Sequence, residues 1–372
     1  MNHPHAHCVR CPPRGSAAAN PGATLVAPVH PFDAAALAAY LREHVAEFDG
    51  YIAVEQFQGG QSNPTYRITA GERRYVLRRK PPGTLLPSAH AVDREFRVMS
   101  ALAGTGVPVA RTHALCEDAT VLGTPFFLME YVEGRILWDP TLPGMTPAQR
   151  VAHYDELNRV IAALHSVDYA AVGLRDFGKP GNYIERQVAR WSKQYQAAAA
   201  ERIPAMDRLI AWLPEHVPPG DETTIVHGDY RIDNVIFHPV EPRVLAVLDW
   251  ELSTLGHPLS DFAYQVMAWR LTPHQFRGLK GCDFAALGIP TEAEYVAAYC
   301  RRTGRDAIPN WEVYLIFNMF RIAAILHGVL ARALQGNAAS GNAVETGGRA
   351  QLVADIAWEM AQRLDAAGAR RS

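Results

Sequence analysis

The sequence predicts an α+β fold of two lobes, a small antiparallel sheet with one helix followed by a larger, mainly helical part. Three observations carry this. The chain has 372 residues, 48% of them hydrophobic, enough to bury a core larger than one small domain holds. Short runs that alternate apolar and polar side chains crowd the region from Ala53 to Arg79. From about Pro147 onward apolar residues recur mostly at helical spacing, except between Ile225 and Tyr264, where apolar strands end in acids.

Residues 1–30 are rich in Pro, Gly, Ala and His without periodicity and read as a disordered tail. His3, His5, His7, Cys8 and Cys11 are metal-binding types, but no second ligand pair follows at zinc-site spacing. Order is expected from near Phe32, where "FDAAALAAYLREHVAEF" has helical spacing behind Asp33, a suitable N-cap. "AVEQFQGGQSNPTYRITAGERRYVLRR" follows as three antiparallel strands, and "HAVDREFRVMSALAG" as a helix ending in Gly104. "TPFFLMEYVEG" is a strand that runs into a linker. The boundaries are therefore drawn at 31–132 for the first lobe and 133–372 for the second.

Charge and cysteine usage exclude several function classes. Lys and Arg number 36 against 38 Asp and Glu, so no broad field recruits nucleic acid or an anionic membrane. Five scattered cysteines suit reduced thiols better than a disulfide framework, and the first residues lack the apolar run of a secretory signal. A cytoplasmic location is the expectation. "VYLIFNMFRIAAILHGVLARAL" is the most membrane-like stretch, yet Asn318, Arg321, His327 and Arg332 interrupt it, and a mid-bilayer charge costs roughly 2.5–3.5 kcal/mol. It reads as a buried helix.

The chemistry is concentrated in "IVHGDYRIDNVIFHPVEPRVLAVLDWELSTLGHPLSDFAY". "TTIVHGD", "NVIF" and "VLAVLDW" are strands, so Asp229 and Asp249 sit at strand ends and Asn234 at a strand start. A hairpin through "HPVEPR" can bring Asp249 back beside Asp229 and Asn234. One carboxylate and one amide can hold Mg²⁺, a hard ion that prefers oxygen, while the second carboxylate orients a hydroxyl nucleophile.

His227-Gly228-Asp229, then Asn234, then Asp249-Trp250 resembles the catalytic signature of the aminoglycoside phosphotransferase-like kinases, distant relatives of the protein kinases. The resemblance runs from about Phe32 to the C-terminal helices. By "GGQSN", "YVLRRKPPG", "HGDYRIDN" and "LDWELSTLGHPLSD" it is strongest to the branch whose members also occur fused to acyl-CoA dehydrogenases. It implies a bilobal protein-kinase-like fold with ATP and Mg²⁺ between the lobes. Asp229 would be the catalytic residue, and Asn234 and Asp249 the metal ligands. Gly59, Gly60, Ser62 and Asn63 would lie over the ATP phosphates, with Glu95 fixing the phosphate-binding cation and the backbone of Glu130, Tyr131 and Val132 against adenine. His227 and Asp261 would brace the loop.

The phosphate-binding cation departs from the protein-kinase lysine. Strand alternation puts Val76, Arg78 and Lys80 on one face and Leu77 and Arg79 on the other, and aligning "YVLR" with the kinase "VAIK" selects Arg78. Pro81 and Pro82 end the strand beside Lys80. Arg231, Glu251, Tyr264 and Arg321 are candidates for the substrate side. Glu251 is equally suited to metal, and Arg321 to pairing with a buried acid. The missing activation segment argues against a protein kinase, since "STLGHPLSDFAY" follows Asp249 almost at once. The expected function is transfer of the ATP γ-phosphate to a hydroxyl of a small molecule, a hydroxy acid or hydroxyacyl-CoA, by a monomer or homodimer. An aminoglycoside or other amino-alcohol kinase, or a catalytically silent nucleotide-binding module, is the alternative.

Overall fold

The computed structural model describes residues 25–46, 48, 50–57, 63–82, 91–335 and 343–369. The first lobe is built on an antiparallel sheet ordered β1-β2-β3-β4-β6-β5. Its elements are β1 (Leu25–Val26), α1 (Ala34–His44), β2 (Ile52–Phe57), β3 (Thr65–Ala70), β4 (Arg73–Arg79), α2 (Val92–Leu102), β5 (Thr112–Cys116), the single turn α3 (Ala119–Leu122) and β6 (Phe126–Glu130). Asp33 caps α1 by accepting from the N–H groups of Ala35 and Ala36 at 2.8 and 3.2 Å.

One feature differs from the sequence expectation. β1 lies within residues 1–30, the stretch read as a tail, and pairs with β2 through Leu25 opposite Phe57. Val29 N–H donates to Gln56 Oε1 at 2.7 Å and the Tyr66 hydroxyl to the His30 carbonyl at 3.0 Å, so order begins before Phe32. A two-residue strand has no periodicity to read. The lobe's two full helices are the two stretches read as helices in the sequence, and they cover both faces of the sheet. Tyr75 and Leu77 of β4 pack with Leu37 and Leu41 of α1, while Val76 on the other face packs into the cluster that includes Val98 and Leu102 of α2. That second cluster continues into the helical lobe, and the Arg78 face of the sheet is seated toward the stretch that holds Asp249.

The second lobe comprises α4 (Pro147–His165), α5 (Tyr183–Ala197), α6 (Pro204–Trp212), β7 (Thr224–Val226), β8 (Val235–Phe237), β9 (Val244–Val247), β10 (Thr254–Gly256), α7 (Pro258–Val266), α8 (Pro273–Phe276), α9 (Phe284–Leu287), α10 (Glu292–Thr303), α11 (Trp311–Leu334), α12 (Ala343–Gly348) and α13 (Ala350–Gly368). The expected hairpin is β8 against β9, antiparallel, and β7 pairs with β10 instead of with either.

Helix α11 packs against α5, α7, α12 and α13, and 78% of its most apolar window is buried in the fold. Three of the polar residues that interrupt it each meet a backbone carbonyl. Asn318 Nδ2 donates to Ser260 at 2.8 Å, His327 Nε2 bonds to Glu201 at 2.9 Å, and Arg321 Nη2 donates to Gly228 at 2.5 Å. A polar group in an apolar interior is tolerated only when hydrogen-bonded, so these three are cross-links rather than defects in a core helix.

Candidate active site

The strand β7 ends at Val226, and the next residues turn sharply. Gly228 has φ +84°, and a Cβ there would lie 2.9 Å from the Leu252 carbonyl oxygen, so glycine is required by both backbone and space. Asp261, in the first turn of α7, accepts the His227 N–H at 2.7 Å and the Gly228 N–H at 2.8 Å, one on each carboxylate oxygen. Burial opposes its charge, yet these bonds and His165 Nε2 at 3.2 Å hold the carboxyl below the usual carboxylate range. His227 is fully buried. Its Nε2 lies 2.8 Å from the Leu248 carbonyl and its Nδ1 accepts the Asp229 N–H at 3.2 Å, which one neutral tautomer satisfies at once.

This loop presents the Asp229 side chain with both oxygens engaged. Oδ1 accepts the Tyr264 hydroxyl at 2.5 Å. Oδ2 accepts Asn234 Nδ2 at 2.8 Å and lies 3.4 Å from Arg231 Nη2. Asn234 Nδ2 also reaches the Asp229 carbonyl at 2.8 Å, so the amide nitrogen is committed and its Oδ1 remains as a ligand oxygen. The β8–β9 hairpin brings Asp249 alongside, with the Leu248 N–H on the Asn234 carbonyl at 2.8 Å. Asp249 has φ +66° and ψ +60°, a left-handed conformation that strains a residue with a Cβ and is found preferentially at functional sites.

From the sheet side, Arg78 Nε lies 3.1 Å from Glu95 Oε2, and Arg78 Nη2 lies 3.4 Å from Asp249 Oδ1. The arginine thus spans from α2 to the hairpin. Burial works against its charge, but Glu95, Asp249 and Glu251 more than offset that and hold its proton more tightly than usual. Glu95 is 1% exposed. Burial, with further repulsion from Asp249 and Glu251, pushes its carboxyl up to about 7 despite Arg78. Asn63 Nδ2 donates to Glu95 Oε1 at 2.8 Å, so this amide supports the glutamate.

Other predicted residues fall as follows. Gly59, Gly60 and Ser62 lie outside the described residues. In the linker, Glu130 N–H is taken by the Arg111 carbonyl at 2.8 Å and Tyr131 N–H by that of Arg74 at 3.4 Å, and among the described residues no acceptor takes the Val132 N–H. Glu251 lies two residues after Asp249, in the 3₁₀ turn Trp250–Leu252, and acts electrostatically on Arg78 and Glu95. Tyr264 is buried against Asp229 and under the Arg321 guanidinium, 5.0 Å from its ring centroid. Arg321 therefore holds the Gly228 carbonyl, and among the described residues no acid pairs with it. Among the described residues no three His, Cys, Asp or Glu side chains form a metal cage. Asn234 and Asp249 fit a Mg²⁺ that takes its remaining oxygens from phosphates and water.

Residues 53–315 match the phosphotransferase enzyme family. The chain belongs to that family. The chain is 53% identical over 317 residues to acyl-CoA dehydrogenase family member 10 of Mus musculus, covering 84% of this chain and 30% of that protein. It spans less than half the length of the acyl-CoA dehydrogenase family members it matches. The crystal structure of a Ralstonia eutropha protein named "putative aminoglycoside phosphotransferase" has 56% identity and a TM-score of 0.83, over 90% of this chain and 99% of that one. Aminoglycoside phosphotransferase APH(4)-Ia with AMP-PNP and hygromycin B shares the fold, at 17% identity and a TM-score of 0.55, over 86% and 98% of the two chains. Together with the antiparallel sheet and helical lobe, these matches make the phosphotransferase kinase-like in architecture.

Sequence reasoning missed Asp233 and Arg277. Asp233 is 5% exposed, with Arg231 Nε 3.4 Å from one oxygen and an Arg277 hydrogen bond on the other. An acid in a loop beside an arginine is too common a pattern to single out, and Arg277 lies 44 residues away.

The Arg78–Glu95 unit can be tested in two ways. If the pair acts as one device in nucleotide binding, Arg78→Ala and Glu95→Ala each weaken AMP-PNP binding and the double variant loses little more than the worse single one. Additive losses in a titration would contradict this. The second test uses pH. A buried acid with a raised carboxyl favours its protonated form in the fold, so stability present below the unfolded value near 4.5 is lost as pH climbs through about 7. In the nucleotide-free protein, Glu95→Gln should gain Tm relative to wild type between pH 5 and pH 8. A gap that stays constant or shrinks over that range would contradict the assignment.

Proposed function

We propose that this phosphotransferase moves the γ-phosphate of ATP to a hydroxyl of a small molecule in a Mg²⁺-dependent reaction. The observation that carries the reading is the convergence of Asp229, Asn234 and Asp249 at one loop and hairpin, faced by the Arg78–Glu95 pair from the sheet. Bound Mg²⁺-ATP supplies the electrophilic phosphoryl group and neutralises charge on its oxygens. Asn234 Oδ1 and Asp249 would hold the metal, Arg78 a phosphate oxygen, and the Val132 N–H with the linker carbonyls the adenine.

Asp229 accepts the hydrogen bond of the acceptor hydroxyl and aims its oxygen in line with the phosphorus. The new oxygen–phosphorus bond forms as the bond to the β-phosphate oxygen breaks, ADP departs, and the hydroxyl proton passes to the Asp229 carboxylate. Tyr264, Asn234 and Arg231 keep that carboxylate from rotating away. An arginine serves at position 78 because a guanidinium has separate N–H donors for Glu95 and for a phosphate.

For the acceptor we favour a small hydroxy acid or hydroxyacyl-CoA over an aminoglycoside. Similarity to acyl-CoA dehydrogenase family members supports this, as does the chemistry beside Asp229, where arginines stand in place of the acid cluster a polycation requires. The test is ATP consumption with a panel of hydroxy acids, their coenzyme A thioesters and kanamycin, with product mass showing one added phosphoryl group. Asp229→Asn should retain AMP-PNP binding and lower kcat by roughly 10²–10⁴. Near-wild-type turnover in that variant would remove Asp229 from the catalytic role, and phosphorylation of kanamycin alone would reverse the acceptor ranking.

A further inference from the structure

A small cavity of about 50 Å³ lies against residues 231–233 of the catalytic loop, next to Asp229. Trp138, Tyr154 and Trp269 supply apolar walls, and Arg231, Gln265 and Arg277 the polar ones. Among the described residues the buried Gln265 Oε1 has no hydrogen-bond partner. Two guanidinium groups meet here over the single buried carboxylate of Asp233. Arg231 also leans on Asp229 at 3.4 Å. Partial burial and then the Arg231 charge push the Arg277 guanidinium down to about 10, while the side chain stays 46% exposed.

The backbone holds Arg277 in place at some cost. It ends α8 with φ +43° and ψ +39°, where glycine would be unstrained and a residue with a Cβ loses about 1 kcal/mol or more. Both flanks are tied down. Thr272 and Gln275 form a capping box at the start of α8, and the N–H groups of Leu279 and Lys280 donate to the carbonyls of Ala268 and Leu271 at 2.7 and 2.8 Å. A preorganised cation at a strained position, beside an apolar slot and one guanidinium away from the catalytic acid, has the chemistry of a ligand contact.

We propose that Arg277, together with Arg231, is the anion-recognition point of the acceptor site. It binds an anionic oxygen group of the acceptor, the carboxylate of a hydroxy acid or a phosphate of its coenzyme A thioester, while the acceptor hydroxyl lies on Asp229 and its carbons lie along Trp138 and Trp269. This rests on the phosphotransfer reading above for the position of the hydroxyl, but not for the anion contact itself.

The test is calorimetric titration of the protein saturated with Mg²⁺ and AMP-PNP, using 3-hydroxybutyrate, its coenzyme A thioester and neutral 1,3-butanediol. Arg277→Gly relieves the backbone strain and so keeps the fold, which its Tm verifies, and Arg277→Lys retains a charge without the fork. Loss of a charge-assisted hydrogen bond is worth about tenfold to a hundredfold in Kd. Arg277→Gly should weaken the acid, the thioester or both by that factor, with Arg277→Lys in between and AMP-PNP affinity kept. Weakening of the acid identifies the carboxylate as the bound group, and weakening of the thioester alone identifies the phosphate. Binding of both anionic probes by Arg277→Gly as tightly as by wild type would overturn the proposal, as would wild type that binds neither. An equal loss of AMP-PNP affinity would place Arg277 on the nucleotide and overturn it too. Arg277-dependent binding of an acid that then accepts no phosphate from ATP would leave the anion site standing and contradict the kinase reading for that acceptor.

Discussion

One buried carboxylate sets the geometry on which the rest depends. Asp261 accepts two successive backbone N–H groups from the residues that precede Asp229, and a carboxylate with two oxygens so occupied fixes the loop in three dimensions. Burying an acid is tolerable only with such partners, and this one has His165 as well. Helix α7 carries a second anchor, Tyr264, onto the Asp229 side chain, and α11 carries a third, Arg321, onto the Gly228 carbonyl. The long apolar helix thus has a polar task at its centre. Asn318 completes the set by tying α11 to α7 through the Ser260 carbonyl.

Opposite this rigid loop is a region under electrostatic tension. Glu95, Asp249 and Glu251 surround one cation, Arg78, and burial together with the charges of Asp249 and Glu251 raises Glu95 against the pull of Arg78. Asp249 adds a left-handed backbone. Strain and unbalanced charge at one place are costs to the fold that a binding site incurs for the sake of its ligands. At the acceptor site we propose, Arg231 and Arg277 share the Asp233 carboxylate, Arg231 also leans on Asp229, and the strain lies in the backbone of Arg277. Acids gather where a metal would sit, and arginines where an anionic acceptor would sit.

Much of this was legible in the sequence where the signal is local. Asp229, Asn234 and Asp249 lie within one short stretch whose strand ends are marked by the apolar runs, and strand alternation alone separates Arg78 from Arg79, which instead turns inward to the Leu122 carbonyl and Thr124. Glu95 needed the resemblance, since a glutamate on a helix reads as solvated until its partner on β4 is known. What stayed hidden depends on pairs far apart in sequence. Nothing near Asn63 announces Glu95 as its acceptor, and nothing near Arg321 announces a carbonyl rather than a carboxylate. Arg277 follows a four-residue helix in a conformation that only coordinates reveal. Leu25 and Val26 were lost in a Pro- and Ala-rich stretch because a strand of two residues has no pattern.

If Asp261 sets this geometry, the catalytic loop is rigid before any ligand binds. Amide hydrogen exchange of His227 and Gly228 in the nucleotide-free protein tests this most directly. These residues belong to no helix or strand, so an ordinary loop there would exchange within seconds to minutes once solvent reached it. Both amides are predicted to exchange as slowly as those of the buried strand β7, and Asp261→Asn to accelerate them selectively. Exchange of His227 and Gly228 in wild type at the rate of exposed turns would contradict it.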